Sequence, residues 1–304
     1  MALLIRRVIV IANPVSRRGT QLAEHARRTF AARSIECDVM FTERTGHAAE
    51  LSLHHAPHYD AVFVLGGDGT VMEVASALSG SDTPIGVLAG GTGNLLARAL
   101  GIPLNIRRAV PTLLDGAVVQ IDLGRFDSGK RFAIAAGVGI DASMVAETPS
   151  WLKRRLGVLA YALIAARAAL RAVIRRQYFV ARVTMDGAWH ERSAAAVMIA
   201  NFGAVLGDRL TLGPNIRTDD GLLDACIFSP RTLLDAFRIM WRLARADFRS
   251  DPCMLYCPGR VVRVETTPSL PWQADGELIG MTPFTVVVEP LAARLLVPRP
   301  ASSA

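Results

Sequence analysis

Apolar residues in the first 120 positions fall into short unbroken runs separated by stretches of helical length. Val8–Ala12 is a β-rich run that stops at Asn13-Pro14, and the pattern over about Gly19–Arg33 predicts a helix. Glu36–Phe41 reads as a second strand and Ala48–His55 as a second helix. Ala61–Leu65 follows with a helix from about Val71 to Leu78, then Ile85–Leu88 with a helix from Asn94 to Leu100. Continuous apolar strands alternating with helices predict an α/β domain with a parallel sheet covered on both faces.

From Val118 the pattern changes. Val119–Phe126 and Arg131–Gly137 read as a hairpin around Asp127-Ser128-Gly129-Lys130. Further strands are predicted at Phe179–Asp186, His190–Asn201, Leu223–Phe228, Arg260–Thr266, Trp272–Ala274 and Thr285–Val288. Two helices interrupt them, Leu152–Arg176 and Leu233–Arg245. The expectation is a β-rich second domain over 122–290, an antiparallel sandwich, with the apolar tail 291–304 returning to a first domain of residues 1–121.

Composition narrows the class. A chain of 304 residues with 51% hydrophobic and 20% charged residues suits two globular domains and excludes a disordered protein. The net charge is +7, carried almost wholly by arginine, since only Lys130 and Lys153 are lysines. Such a charge suits anionic membranes or phosphorylated substrates. No recognition helix or aromatic platform accompanies it, so nucleic acid is not expected as a partner. Cys37, Cys226, Cys253 and Cys257 form no disulfide or zinc pattern and read as reduced thiols in a cytoplasmic protein. Met1–Asn13 lacks the features of a targeting segment, and Leu156–Ile174 is broken by Arg167 and Arg171, so no span is expected.

The strongest chemical signal is Gly66-Gly67-Asp68-Gly69-Thr70, between an apolar strand and a helix. Glycines there allow main-chain N–H groups to approach a phosphate beside a helix N-terminus. Asp68 fits either magnesium and proton chemistry at those phosphates or a plain helix cap. Gly90-Gly91-Thr92-Gly93-Asn94 repeats the arrangement one strand later, and Asn13-Pro14-Val15-Ser16 closes a third strand. Open α/β sheets place ligands at such strand ends. Gly124–Lys130 has P-loop spacing, but Arg131 replaces the Ser/Thr and a strand follows, so it reads as a hairpin turn. No G-x-G-x-x-G fingerprint follows the first strand, so no nicotinamide cofactor is expected.

These segments together resemble the diacylglycerol kinase catalytic family, which includes sphingosine, ceramide and bacterial lipid kinases. NAD kinases and phosphofructokinases are more distant relatives with a similar loop. The resemblance continues through Ile121–Gly124, Gly137–Ala142, Asn201 with Pro214, Asp219–Asp224 and Asp275-Gly276-Glu277. It implies an ATP-dependent kinase acting on a hydroxyl of a diacylglycerol-like or sphingoid lipid, with Mg²⁺. ATP would contact Asn13, Pro14, Thr42, Gly66, Gly67, Asp68, Gly69, Thr70, Val71, Met72, Thr92, Gly93 and Asn94. Asp68 would work with magnesium or accept a proton, and Glu277 or Asp275 would be the base. Asp220, with the carbonyls of Arg217 and Leu222, would hold a structural magnesium. The concentration of Asp219, Asp220 and Asp224 suits a hard cation on its own; a solvated acidic turn is the other reading.

Two positions depart from the family. Met72 stands where asparagine is common, and Leu95 stands where an aspartate belongs to a polar network in bacterial diacylglycerol kinases. Leu95 is closer to the sphingosine-kinase pattern. A kinase of a soluble acceptor such as NAD, and a nucleotide-binding regulator without turnover, are the competing expectations. A lipid kinase would meet its substrate transiently at the inner membrane face, and the basic helix Leu152–Arg176 reads either as a membrane-surface helix or as an ordinary domain helix. The oligomeric state is left open, a homodimer being one option.

Overall fold

A computed structural model describes residues 4–15, 19–139, 178–205 and 210–299. The predicted helix Leu152–Arg176 and positions Ile140–Ala142 lie outside them. The chain divides into two compact units, Met1–Ile121 with Leu291–Ala304, and Asp122–Pro290.

In the first unit, β1 (Arg7–Ala12), β2 (Glu36–Phe41), β3 (Ala61–Gly66) and β4 (Ile85–Ala89) form a parallel sheet in the order β2-β1-β3-β4. Val8–Ala12 and Ala61–Leu65 are wholly buried, which explains why their sequences carry no polar alternation. Helices α1 (Gly19–Ala31), α2 (His47–His55), α3 (Asp68–Ala77), α4 (Leu95–Ala99) and α5 (Ile106–Leu114) link and cover the strands. Phe30 of α1 meets Phe63 of β3 edge-on at 4.7 Å, and that ring takes the space a side chain at Gly86 would need. Helix α5 is missing from the sequence reading. Its apolar residues Ile106, Ala109, Val110 and Leu113 recur at helical spacing, but Pro111 inside it reads as a helix breaker; Asn105 caps its start by accepting from the Arg107 N–H at 3.0 Å.

The second unit is an antiparallel sandwich. One sheet holds β8 (Phe179–Met185), β9 (Ala188–Ala194), β15 (Val261–Thr267) and the start of β18 (Phe284–Val297), with the hairpin of β5 (Ala117–Phe126) and β6 (Arg131–Phe132) attached. The other runs β14-β13-β10-β7-β16-β17, from β7 (Ala135–Gly139), β10 (Ala196–Ala200), β13 (Leu223–Phe228), β14 (Met254–Gly259), β16 (Pro271–Ala274) and β17 (Glu277–Met281). Two short strands, β11 (Ala204–Val205) and β12 (Leu210–Thr211), pair separately, and α6 (Leu233–Ala244) follows β13. Phe126, Trp272 and Phe284 meet ring to ring at 4.4 to 5.8 Å inside a core fed by both sheets.

Two predicted strands are corrected. Arg131–Gly137 is not one hairpin arm: β6 pairs with β5, a bend follows at Ala133–Ile134, and β7 pairs with β10 and β16 instead. His190–Asn201 likewise splits into β9 and β10, which belong to different sheets. In both places the chain crosses from one layer of the sandwich to the other through buried apolar residues, Ala133-Ile134 and Ala194–Ala196, so hydrophobicity runs on unbroken. No described helix is long and apolar enough to cross a membrane.

Candidate active site

The ends of all four parallel strands carry the predicted groups. After β1, Asn13 donates its main-chain N–H to the Leu65 carbonyl at 2.9 Å, its side-chain oxygen accepts from Val15, and its side-chain amide donates to Thr70 Oγ1 at 3.4 Å. Pro14 follows in the turn. After β2, the buried Thr42 donates its N–H to the Ala12 carbonyl. After β3, Gly66 and Gly67 lead directly into α3, whose first turn holds Asp68, Gly69, Thr70 and Val71. Met72, the next residue of the helix, is half-buried.

The two glycine turns touch through their backbones. A Cβ on Gly91 would stand 2.5 Å from Gly67 Cα, so the approach requires glycine. A Cβ on Gly93 would stand 2.6 Å from Asp68 Oδ2. The Gly90–Asn94 loop is closed on itself by Asn94, whose side chain accepts from the Gly91 N–H and donates to the Gly91 carbonyl, both at 2.9 Å. Asn94 takes a left-handed conformation and is buried, whereas Thr92 is exposed.

Asp68 bridges the turns. Its Oδ1 accepts from the Leu95 N–H at 2.6 Å, which caps α4 from the neighbouring β–α unit. Burial pushes its carboxyl above the ordinary range, and the main-chain N–H groups of Leu95, Leu96 and Asn94 oppose that rise. Leu95 therefore contributes to the site through its backbone. Glu73 escaped the sequence reading. Its Oε1 accepts from the Gly46 N–H at 3.0 Å and ties the loop after β2 to α3. A glutamate one turn past a glycine-rich loop was the available signal.

In the second unit, Asp122 and Asn201 are both wholly buried. Asp122 Oδ2 accepts from the Gly221 N–H at 2.7 Å and its N–H donates to the Thr218 carbonyl at 2.6 Å, which fixes the 218–221 loop. Asn201 donates to the carbonyls of Asp122 and Ala133 at 2.7 and 2.8 Å. Within that loop Asp220 Oδ1 accepts from the Leu222 N–H at 3.0 Å, and Arg217 pairs with Asp219 at 3.1 Å. Asp224 is buried, and burial together with the Asp220 charge pushes its carboxyl up to about 6. Among the described residues no three metal-ligating side chains converge. The like charge on Asp220 and Asp224 is nevertheless what a divalent cation relieves, so one carboxylate with main-chain oxygens and water fits magnesium.

The β16–β17 turn separates its two acids. Asp275, in a left-handed conformation, accepts from the N–H groups of Ala133, Ile134 and Ala135 at 2.7, 2.9 and 3.1 Å. Glu277 begins β17 and is exposed.

Comparison with known proteins gives this geometry a relation. Residues 7–126 match the diacylglycerol kinase catalytic domain, and residues 133–297 match the YegS C-terminal NAD kinase beta sandwich-like domain. A diacylglycerol kinase of Mycobacterium tuberculosis is 31% identical over 97% of this chain and 96% of its own length. One from Bacillus subtilis is 28% identical over 92% of each. An uncharacterised Synechocystis protein is 30% identical over 78% of this chain, which there spans 54% of the relative's length. A crystal structure of a Bacillus anthracis diacylglycerol kinase, 20% identical, covers 96% of this chain and 97% of its own with a TM-score of 0.71, a likeness of fold. With both of its units matched in order and relatives aligned nearly end to end, the chain belongs to the diacylglycerol kinase family of phosphotransferases.

Proposed function

We propose that the protein transfers the γ-phosphoryl group of ATP to a hydroxyl of a diacylglycerol-like or sphingoid lipid. The observation that carries this reading is the apposition of Gly67 and Gly91 with the Asp68 carboxylate between their loops. Main-chain N–H groups of Gly67–Thr70 would receive phosphate oxygens at the N-terminus of α3, with Gly66, Val71 and Met72 beside them, the Val71 N–H being given to the Gly67 carbonyl. Asn13, Pro14, Thr42, Thr92, Gly93 and Asn94 would line the nucleotide's approach. Magnesium, held at the phosphates beside Asp68 and structurally by Asp220 with the Arg217 and Leu222 carbonyls, would supply positive charge where phosphate oxygens and acidic side chains crowd.

The acceptor oxygen bonds to the γ-phosphorus as the bond to the ADP leaving oxygen breaks, and the hydroxyl proton passes to a carboxylate. Asp68 and Glu277 are the candidates for that acceptor. Asp275 is occupied by three amides, which argues for a supporting role at its turn.

The test is labelled-ATP turnover in mixed micelles of diacylglycerol, sphingosine or ceramide, beside an aqueous arm with NAD. Transfer to one lipid and none to NAD is expected. Asp68→Asn keeps an acceptor for the Leu95 N–H and should lower turnover by about 10²-fold or more with an unchanged melting temperature. Transfer to NAD alone would overturn the lipid assignment, and a wild-type rate in Asp68→Asn would remove Asp68 from the chemistry.

A further inference from the structure

Helix α6 is apolar on two opposite faces. Ala236, Ile239 and Leu243 are buried, and Ile239 and Leu243 share one apolar cluster with Phe228, Leu212 and Met254 of the second unit. The outward face carries Leu234, Phe237 and Trp241, which are 74, 66 and 52% exposed, with Leu233 beside them. Their spacing places them in one stripe along the helix. The Phe237 and Trp241 rings lie nearly parallel, 6.4 Å apart, so two exposed aromatic side chains stand next to each other on this face. A capping box at Thr232 and Asp235 fixes the helix start, with Asp235 N–H donating to Thr232 Oγ1 at 3.1 Å. Solubility alone gives no reason to keep such a stripe in water.

Charge says what covers it. Residues 231–251 hold five arginines and three aspartates. Arg238 and Arg242 are taken up by Asp235, Asp247 and Asp251. Arg231, just before the helix, and Arg245, just after it, form no ion pair among the described residues, and both are exposed. Arg245 lies 4.4 Å above the Trp241 ring, so a cation sits at the edge of the aromatic stripe. A tryptophan and a phenylalanine with leucines on one side and unpaired arginines at the border match the depth profile of an anionic bilayer surface. There rings settle at the headgroup level and guanidinium groups meet phosphate.

We propose that α6 is a membrane-docking surface that seats Leu234, Phe237 and Trp241 in the headgroup region of an anionic bilayer, with Arg231 and Arg245 on lipid phosphates. The inference rests on the lipid-kinase reading only for its purpose, since a lipid acceptor must be met at a bilayer.

The test is co-sedimentation of the full chain with phosphatidylglycerol-containing vesicles and with pure phosphatidylcholine vesicles, without ATP or acceptor lipid. The wild type should pellet with the first and far less with the second. The double variant Phe237→Ser/Trp241→Ser should bind the anionic vesicles about tenfold or more weakly. Trp189→Ser, which removes an exposed tryptophan on β9, should behave as wild type. Leu234→Asp serves as a second variant should the double one melt early. Undiminished pelleting of these α6 variants, or no pelleting of the wild type, overturns the proposal. So does light scattering that shows a wild-type dimer reduced to monomer by the same variants, which would make the stripe an interface between copies. Micelle kinase activity is read separately, so loss of either result leaves the other standing.

Discussion

One absent atom does two different things at Gly67 and Gly91. On Gly91 a Cβ would collide with backbone, 2.5 Å from Gly67 Cα, and nothing flexible is there to move. On Gly67 the nearest heavy atom is Gly91 Cα at 3.7 Å, an ordinary contact. Gly91→Ala is therefore expected to destabilise the fold by about 1–3 kcal/mol, an overpacking cost. Gly67→Ala should leave the melting temperature unchanged and weaken ATP binding about tenfold or more, because a phosphate bound as proposed would need the bare backbone there. Thermal melts and nucleotide titration of both variants check this; equal loss of stability in the two would refute it. The glycines were legible because their spacing is local. The partner of Asp68 was not, since the carboxylate caps a helix that begins 27 residues downstream.

Between elements, the sequence hides changes of layer. At Ser193-Ala194-Ala195-Ala196 neither glycine nor proline marks the break between β9 and β10, and buried alanines continue the apolar run. At Ala133–Ile134 the mark is remote: the carboxylate of Asp275, some 140 residues on, receives the amides that the bend leaves without sheet partners. Strands inside one layer, such as Leu223–Phe228, were read with their observed bounds because the hydrophobic pattern and the ladder coincide there. Asp275→Ala should cost about 1–3 kcal/mol, the penalty for stranding buried N–H groups. Glu277→Gln should leave the melting temperature alone and lower turnover. Chemical denaturation beside kinase assays separates the two; a stable Asp275→Ala would show that water replaces the carboxylate.

Across the whole molecule, the Asp224 carboxyl links stability to pH. Its folded-state value near 6 exceeds the ordinary 3.8, so the folded protein binds that proton more tightly than the unfolded chain does. The associated stability is full below about pH 4 and is lost as pH rises through about 6. Asp224→Asn should flatten that fall and raise the melting temperature by a few degrees above pH 6. Magnesium should do the same for the wild type in that range and not for Asp220→Ala. Melting curves from pH 4 to 8 with magnesium or EDTA decide this; identical curves would remove the cation from the loop. The tail has a larger consequence. Strand β18 spans Phe284–Val297, and its Leu295 aligns beside Ile85 of β4. Arg299 reaches the Gly116 carbonyl. A gene cut after Ile121 would encode a sheet with one raw margin, and such a fragment should aggregate. Splicing codon 121 to codon 291 through a flexible linker restores the missing neighbour, so the first unit should be obtainable by excision of its insert and not by shortening.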